Sequence, residues 1–402
     1  MKRVYDAIVL DHLAKYNKML FLAGPRQVGK TTIATKAKSL AKKFIYLNWD
    51  NYNDKQLILE GPKAIAEQFR LQELRSVTTL IVFDEIHKYT HWKNFLKGFF
   101  DTYREQVKII VTGSAKLDIY RSSGDSMMGR YFPYRIHPLS VAECIRTTLP
   151  TQEIQHPMKI SDKDFQALLT YGGFPEVFIE RNKRFYNRWR NLWQQNLFRE
   201  DLRDLHRIFE ITQLEKLVTL LKHQIGQLVN YSSLANKVEV SVHTIKNWLD
   251  ILASFYYCFT IKPWTSNISR SLIKQPKVYL WDWSRVENSG AKMENFVASH
   301  LLKAVHLWTD SGFGNYDLYF IRDKEKREVD FLVTKDQHPW FLVEVKNSHN
   351  VSLSKNLAIF QRLTGAKHAF QVAFDMEYVN KDCFLHKLPI IVPARTFLSQ
   401  LV

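Results

Sequence analysis

The sequence predicts an α/β protein whose first part is built on a parallel β-sheet. Short apolar runs at residues 19–23, 79–83 and 108–112 have the length and composition of buried strands. Helical patterns follow two of these runs, and this alternation is typical of parallel sheets. Residues 161–205 are mainly helical, and two β-like runs come near the C-terminal end. The predicted fold therefore combines a parallel-sheet core with helical segments and a smaller second α/β region.

Composition indicates a multidomain chain with an anionic partner. The chain has 402 residues, and 57 Lys and Arg against 40 Asp and Glu give a formal net charge of +17. This length favours about two to four domains. A surface this basic attracts polyanions, of which nucleic acid is the commonest, although it can also serve solubility alone. We therefore expect DNA as a partner.

Cysteine use and hydropathy bear on the compartment. Cys144, Cys258 and Cys383 are far apart, which favours neither a disulfide framework nor a zinc site and indicates a reducing compartment. Residues 1–24 lack the uninterrupted apolar core of a signal peptide. No stretch approaches the roughly 18 consecutive apolar residues of a membrane span. We expect a soluble, cytoplasmic protein that does not engage a membrane.

A glycine-rich loop follows the first apolar run and leads into an amphipathic stretch. Strand, G-x-x-x-x-G-K-T loop and helix in this order form the context of a phosphate-binding loop. Backbone N–H groups near Gly29 can wrap phosphates because glycine permits the required dihedral angles, and the helix N-terminus adds a positive dipole end. Lys30 is expected to reach the β- and γ-phosphates of ATP, and Thr31 to hold Mg²⁺. The predicted nucleotide-binding residues of the loop are Gly24, Pro25, Arg26, Gln27, Val28, Gly29, Lys30, Thr31 and Thr32.

The second apolar run ends in two carboxylates, Asp84 and Glu85. Asp84 is expected to support Mg²⁺, and Glu85 to orient and polarise the attacking water. An apolar run followed by two acids is a weak signal alone, but it becomes strong downstream of a phosphate loop. Between the two motifs, residues 44–48 predict an additional strand.

The third apolar run leads to Thr112 and Ser114. A polar residue at this strand end can lie beside the γ-phosphate, and Ser114 is the first candidate, with Thr112 the second. Both residues could instead cap the following helix.

These motifs resemble those of a large bacterial and archaeal group of AAA ATPases that carry a C-terminal domain of unknown function. The resemblance covers essentially the whole chain, and its ATPase motifs are the specific part. Its segments are residues 24–32, 81–88, 111–116, 129–130, 137–143 and 172–176. The resemblance implies a homo-oligomeric ring in which a neighbouring subunit's arginine completes the ATP site. Arg130 matches the group's Gly-Arg pair, and Arg135 is the alternative. An ordinary surface arginine, or one that binds a DNA phosphate, is the other interpretation of both residues.

We predict four domains along the chain. The middle of the chain includes a helix in which Phe185, Trp189, Leu192 and Trp193 share one face, so these residues are expected in a core. Its basic residues then face outward, where phosphate contact and plain solvation are both open. The predicted domains are an ATPase core at 1–158, a helical lid at 159–208, a winged helix at 209–265 and a small α/β domain at 266–402.

The predicted winged helix has two short helices joined by a turn, the second capped by Ser241, and the β-prone residues 255–263 follow as its wing. Val242 is expected to face inward with the other apolar residues of the second helix. His243, Lys246 and Asn247 are expected to face outward and are the candidate DNA contacts. Such units also serve as lids or protein contacts, so a protein partner stays open.

Near the C-terminal end, residues 328–333 and 340–346 predict two strands. A hairpin centred on Gln337 places Asp330 opposite Glu344, and Lys346 leaves the same face of the sheet. With Glu294 from the first turn of a predicted helix, these groups could bind a hard cation and position a water. The alternative is a set of solvated charges on a sheet edge.

This arrangement resembles the PD-(D/E)XK nuclease fold, with one departure, since Val329 rather than proline precedes Asp330. The resemblance implies either a metal-dependent nuclease or a domain that keeps these residues for structure or for holding DNA. The whole sequence then predicts an ATP-hydrolysing protein that translocates on or remodels DNA, including branched DNA. The alternatives are an oligomeric switch that recruits a protein partner and an ATP-regulated nuclease. The chain lacks the long helical repeats that such switches usually carry, which disfavours the switch.

Overall fold

The structure is a computed structural model that describes residues 1–73, 79–113, 127–197, 211–265 and 275–402. It separates into two compact units. The first comprises Met1–His137 and Arg146–Leu149, and the second comprises Pro138–Ile145 and Pro150–Val402. The four predicted domains stay a prediction, because this division does not test boundaries inside the second unit.

Strands and helices alternate in the first unit, which confirms the predicted α/β class. Its elements are α1 (Val4–Lys15), β1 (Met19–Ala23), α2 (Lys30–Lys36), β2 (Lys43–Asn48), α3 (Tyr52–Glu60), α4 (Pro62–Gln68), β3 (Thr79–Asp84), α5 (Trp92–Tyr103), β4 (Val107–Gly113) and β5 (Tyr131–Arg135). All five strands are parallel, in the order β2-β3-β4-β1-β5. Strands β1 and β3 are buried along their whole length, as expected for a parallel sheet covered on both faces.

The sheet order differs from the order of the motifs along the chain. Residues 44–48 do form a strand, β2, but β2 lies at the sheet edge. The strand inserted between β1 and β3 is β4. Chain order does not fix sheet order, because a helical crossover can return the chain to a position beyond the adjacent one. As a result the carboxyl ends of β1, β4 and β3 lie side by side.

The second unit begins with helices. They are α6 (Val141–Ile145), α7 (Asp162–Tyr171), α8 (Pro175–Glu180), α9 (Lys183–Asn196), α10 (Ile211–Lys222), α11 (Tyr231–Val238) and α12 (Val242–Ser254). The Ser241 side chain accepts a hydrogen bond from the Thr244 N–H at 3.0 Å, so the predicted helix cap is confirmed. Val242 is exposed, so its predicted inward position is wrong. It is the first residue of α12, where the helix has not yet turned its apolar face onto α11.

The remaining elements of the second unit form a mixed seven-stranded sheet with helices on it. They are β6 (Cys258–Pro263), β7 (Lys277–Leu280), α13 (Ser289–Asp310), β8 (Tyr316–Arg322), β9 (Glu328–Lys335), β10 (His338–Lys346), α14 (Lys355–Thr364), β11 (His368–Ala373), β12 (Ile390–Pro393) and α15 (Ala394–Ser399). The order is β12-β11-β10-β9-β8-β6-β7. Helix α13 packs on β7, β8 and β10. Within the described part of the chain, no helix is both long and apolar enough to cross a membrane.

Strand β6, predicted as a wing strand, has two partners. It pairs antiparallel with β7 and, through its last two residues, parallel with β8. Isolated bridges join Ile225 to Val278 and Leu228 to Lys277, so the segment between α10 and α11 also reaches β7. Strand β7 is therefore contacted both by β6 and by the segment that joins α10 to α11.

The buried face of α9 is rotated by one residue from the predicted one. Trp189 and Trp193 are buried as expected, but Tyr186 completes the stripe, while Leu192 is 53% exposed. Residues 186, 189 and 193 follow the spacing of i, i+3 and i+7, which is one continuous face of an α-helix. Lys183, Arg184 and Arg188 lie on the exposed side.

Residues 138–145 belong to the second unit because α13 holds them. The Val141 N–H donates to His300 Nε2 at 3.0 Å, and His300 Nδ1 bonds the Phe296 carbonyl at 2.7 Å. Only the neutral imidazole with its proton on Nδ1 satisfies both bonds. Burial accordingly lowers the pKa of His300 to about 3.

Candidate functional site

The predicted phosphate loop connects β1 to α2, and its two glycines are needed for different reasons. At Gly24 the chain passes against the backbone of Ile136, and an added Cβ would lie 2.4 Å from the Ile136 carbonyl oxygen. Gly29 has a φ of 98°, a left-handed conformation that glycine adopts at little cost, and it directly precedes α2. The loop conformation therefore depends on glycine at both ends.

Lys30 lies inside the loop that it terminates. Its Nζ donates to the carbonyl oxygens of Gly24 at 2.9 Å and Pro25 at 2.8 Å, and the side chain is buried. Burial lowers the pKa of Lys30 to about 8, against the opposing effect of Glu85 and Asp84. The ammonium is thus held at the centre of the loop, at the position predicted for phosphate contact.

The carboxylate of Asp84, at the end of β3, accepts hydrogen bonds from three side chains. Thr31 Oγ1 donates to Asp84 Oδ2 at 2.9 Å, and the Tyr46 hydroxyl donates to the same oxygen. The Thr112 hydroxyl donates to Oδ1. The predicted pair of Thr31 and Asp84 is therefore brought together, and a hydroxyl beside a carboxylate is an oxygen donor set that fits Mg²⁺. The sequence offered no signal for Tyr46, because a tyrosine in an edge strand belongs to no motif.

Glu85 follows β3 in a left-handed conformation with a φ of 55°. Its N–H donates to the Thr112 carbonyl at 3.1 Å, which fixes the backbone beside β4. The carboxylate lies 3.5 Å from Lys88 Nζ, and this lysine also pairs with Asp50 at 2.6 Å. Glu85 Oε2 is also 3.8 Å from His87 Nε2. Glu85 is thus placed one residue beyond Asp84, at the carboxyl end of the sheet, with a lysine as its neighbour.

The arginine candidates lie at opposite ends of β5. Arg135 is paired with Ala23, directly before the phosphate loop. Arg130 precedes β5, about 15 Å away along a five-residue strand. Arg130 Nε and Nη2 donate to the two carboxylate oxygens of Asp101 at 2.8 and 2.9 Å. Arg130 therefore cannot reach phosphates in its own loop, and Ser114 lies outside the described residues.

The C-terminal hairpin has the predicted register, but a tight turn and a β-bulge that the sequence did not predict produce it together. The turn is formed by Asp336 and Gln337, both with positive φ, so Lys335 pairs with His338. A bulge between Pro339 and Phe341 then shifts the pairing by one residue. Beyond the bulge the residue numbers of each pair sum to 674, the register predicted to face Asp330 with Glu344. Strand β10 thus presents Glu344 beside Asp330.

The carboxylates gather around this hairpin with raised pKa values. Burial, and then the charge of Asp330, raise the pKa of both Glu294 and Glu344 to about 7. Burial also raises the pKa of Asp330 itself. Lys346 Nζ donates to Glu344 Oε1 at 2.9 Å. Glu294 lies on the second turn of α13, not the predicted first turn, because Asn288 caps the helix earlier.

The structure places a cation among the residues of the predicted metal site. In the described ranges, no three His, Cys, Asp or Glu side chains converge in the manner of metal ligands. Lys277, which the sequence did not single out, ion-pairs with both Glu294 and Glu328. Of the predicted set, Glu294 and Asp330 face this lysine ammonium, whereas Glu344 pairs with Lys346.

The candidate DNA contacts on α12 are exposed. His243, Lys246 and Asn247 all face solvent, and Lys246 Nζ lies 5.4 Å from the centre of the Tyr231 ring. Helix α9 offers a second basic surface. Its sequence contains four basic residues and no acid, and no carboxylate in the described part of the chain pairs with Lys183, Arg184 or Arg188. The sequence has eight Lys and Arg at residues 181–207, and those at 199, 203 and 207 lie outside the described residues.

Comparison with protein families covers most of the chain in three parts. Residues 16–145 match the family model described as an AAA domain. Residues 162–286 and 289–391 match two models described as domains of unknown function, DUF8612 and DUF4143. The parallel sheet, the phosphate loop and the AAA match together give the first unit the fold of a P-loop AAA ATPase, a fold that implies nucleotide binding.

Individual relatives are distant. The uncharacterized protein Rv2008c of Mycobacterium tuberculosis is 22% identical over 354 residues, which are 84% of this chain and 72% of that protein. The uncharacterized protein MJ1544 of Methanocaldococcus jannaschii is 23% identical over 341 residues, 79% of this chain and 72% of that protein.

Solved structures align weakly. Thermotoga maritima RuvB is 15% identical, with a TM-score of 0.31 over 64% of this chain and 86% of that one. PCH-2 of C. elegans is 14% identical, with a TM-score of 0.25 over 61% and 66% of the two chains. Scores this low carry no argument about function.

Proposed function

We propose that the chain hydrolyses ATP and couples hydrolysis to work on DNA. The observation that carries the first half is the convergence of Lys30, Thr31, Asp84 and Glu85 at the carboxyl ends of neighbouring parallel strands. This is where ligands bind in open α/β sheets. Phosphate oxygens would exchange for the two carbonyls that Lys30 now holds.

Mg²⁺, when bound, would neutralise charge that develops on the phosphates. Thr31 and Asp84 would hold it, since they supply adjacent oxygen donors. Glu85 would accept a hydrogen bond from the attacking water and take its proton. Because Glu85 follows Asp84 directly, one carboxylate would support the cation while the next would act as the base.

An arginine from a second copy of the chain would complete the site. Arg130 is the candidate, because it lies at the end of the sheet away from its own loop and is partly exposed beside Asp101. Only a neighbouring subunit could use it for phosphate contact. Such an arginine is worth roughly 10³-fold or more in rate.

The arginine proposal predicts complementation between two inactive variants. Lys30→Ala and Arg130→Ala should each lose almost all turnover, and mixing them should restore part of it. Random mixing in equal amounts puts an intact loop beside an intact arginine at about one interface in four, so recovery to about a quarter of wild-type turnover is expected. Arg70→Ala, which removes an exposed arginine that pairs with Glu73, serves as a control and should stay active. Properly oligomeric mixtures that recover nothing would contradict the proposal.

DNA action is supported by charge and by the order of elements in the second unit. The exposed side of α9 is basic with no acid to neutralise it, as expected of a surface that binds phosphates. The order α10, α11, α12, β6, β7 is that of a winged helix, whose second short helix suits a major groove. His243, Lys246 and Asn247 lie exposed on that helix.

The DNA proposal predicts that ATP turnover rises in the presence of single-stranded, duplex or branched DNA. Arg184→Glu/Arg188→Glu should remove this stimulation and reduce the slope of log affinity against log salt by about 2, one unit for each phosphate that the variant no longer neutralises. Lys355→Glu/Arg362→Glu makes the same charge change on an exposed face of α14 and should leave stimulation intact. Turnover indifferent to every DNA form, together with nucleotide-dependent changes in oligomeric state, would instead favour a switch that recruits a protein.

A further inference from the structure

The side chain of Lys277 lies among the carboxylates of Glu294, Glu328 and Asp330. Its Nζ is 2.7 Å from Glu328 Oε1, 3.2 Å from Glu294 Oε1 and 3.9 Å from Asp330 Oδ1. The side chain is only 2% exposed. An ammonium therefore occupies the point at which these three carboxylates converge.

These carboxylates also have other donors, which act on the oxygen that faces Lys277 in Glu294, on the second oxygen in Glu328 and Asp330, and on one oxygen of the neighbouring Glu344. Within the described residues, Glu344 Oε2 is buried and makes no hydrogen bond. The partners are Tyr279 OH on Glu294 Oε1 at 2.7 Å, Arg322 Nη1 on Glu328 Oε2 at 2.7 Å, the Val345 N–H on Asp330 Oδ2 at 2.8 Å and Lys346 Nζ on Glu344 Oε1 at 2.9 Å. A divalent cation needs several carboxylate or carbonyl oxygens turned toward it. Here most of the oxygens are turned toward N–H and O–H groups.

Charge balance favours the lysine as well. The four carboxylates of Glu294, Glu328, Asp330 and Glu344 face three cations, those of Lys277, Lys346 and Arg322. Even with every carboxylate ionised, only one negative charge stays uncompensated. A divalent cation would have to enter this cluster against an ammonium at its centre.

The backbone of Lys277 is fixed in the sheet, which keeps its side chain beside the carboxylates. Its backbone pairs with Ile261 in β6 and bridges to Leu228, so the residue is held on two sides within the sheet. Its Nζ also lies 5.5 Å from the centre of the Phe320 ring. Gly226 packs against the Glu294 carboxylate, where an added Cβ would be 2.8 Å from its oxygens. The cluster is thus closed on the side of the segment that precedes α11.

We propose that Lys277 replaces the divalent cation of a PD-(D/E)XK-type site, so that this domain binds no catalytic metal and does not cut nucleic acid. The ammonium ties β7 to α13 and β9, and through β7 it fixes the β6–β7 pair to the C-terminal sheet. Lys346 pairs with Glu344 and so belongs to the same network of ion pairs. This inference is independent of ATP hydrolysis and concerns the second unit alone.

Mn²⁺ binding measured by electron paramagnetic resonance tests the proposal. The full chain carries Asp84→Asn so that the nucleotide site loses a ligand, and no nucleotide is added. This protein should leave millimolar Mn²⁺ unbound, whereas adding Lys277→Met should create one Mn²⁺ site that Glu344→Gln removes again. Binding of one Mn²⁺ with Lys277 in place, abolished by Asp330→Asn, would overturn the proposal.

A folded Lys277→Met protein that gains no Mn²⁺ would also overturn it, because the lysine would not be what excludes the cation. If Lys277→Met fails to fold, the measurement with Lys277 in place still decides. Plasmid nicking with Mn²⁺ gives an independent readout, and no nicking above a no-protein control is expected. Nicking that disappears in Lys346→Ala would contradict the proposal.

Discussion

Glu85→Gln should lower ATP turnover about 10²- to 10⁴-fold, the range for removing a general base. The amide is nearly isosteric but cannot take a proton from water. Glu85 makes no hydrogen bond to the phosphate loop, and Thr31 bonds Asp84 instead. ATP binding should therefore stay within a few fold of wild type, and the loss should fall on the rate of the chemical step.

Phosphate release at saturating ATP and nucleotide affinity by titration separate these two effects. Glu60→Gln, an exposed acid at the end of α3, is the matched control and should turn over ATP at the wild-type rate. Undiminished turnover in Glu85→Gln would exclude this residue as the base. Loss of binding instead of turnover would assign it a structural part in the loop.

The residues of the proposed nucleotide site were recognisable in the sequence because their signals are local. The phosphate loop and the Asp84-Glu85 pair each lie within a few consecutive residues, and backbone geometry requires glycine where the loop bends. The contacts that Asp84 makes with Tyr46 and Thr112 come from different strands. They depend on sheet order, which the sequence does not specify, and Thr112 was only the second candidate beside the γ-phosphate.

The C-terminal cluster contains a residue that a motif pattern does not include. The register of Asp330 and Glu344 follows from the positions of two strands and a turn, even though a bulge produces it. Lys277 lies far along the chain from both and belongs to no motif. A metal-ligand pattern describes the carboxylates alone, so it cannot reveal the cation already among them.

The segment at residues 137–143 and the one at 172–176 were noted in the sequence only as points of resemblance. In the structure they meet. The Leu139 N–H donates to the Gly173 carbonyl at 2.6 Å, and an added Cβ on Gly173 would lie 2.6 Å from the Leu139 carbonyl oxygen. Helix α13 also holds the first segment through the ion pair of Lys303 and Glu143.

Lys303→Met should destabilise the second unit by about 3–5 kcal/mol, the usual effect of breaking a buried ion pair. Lys303 Nζ lies 2.5 Å from Glu143 Oε2 and donates to the Pro138 carbonyl at 3.0 Å, and both side chains are almost fully buried. Removing the ammonium leaves the buried Glu143 carboxylate without this cation. Urea denaturation followed by tryptophan fluorescence measures the loss, and Lys355→Met, on the exposed face of α14, is the control.

Replacing both partners distinguishes an unpaired charge from impaired packing. In Lys303→Met/Glu143→Leu no charge is left buried, so most of the stability should return, since apolar replacements of buried pairs are often neutral. The Pro138 carbonyl would still lack a donor, which leaves a deficit of about 1–3 kcal/mol. A double variant as unstable as Lys303→Met would mean that the lysine acts through its packing, and that residues 138–145 are held on α13 by shape and by the His300 hydrogen bond rather than by charge.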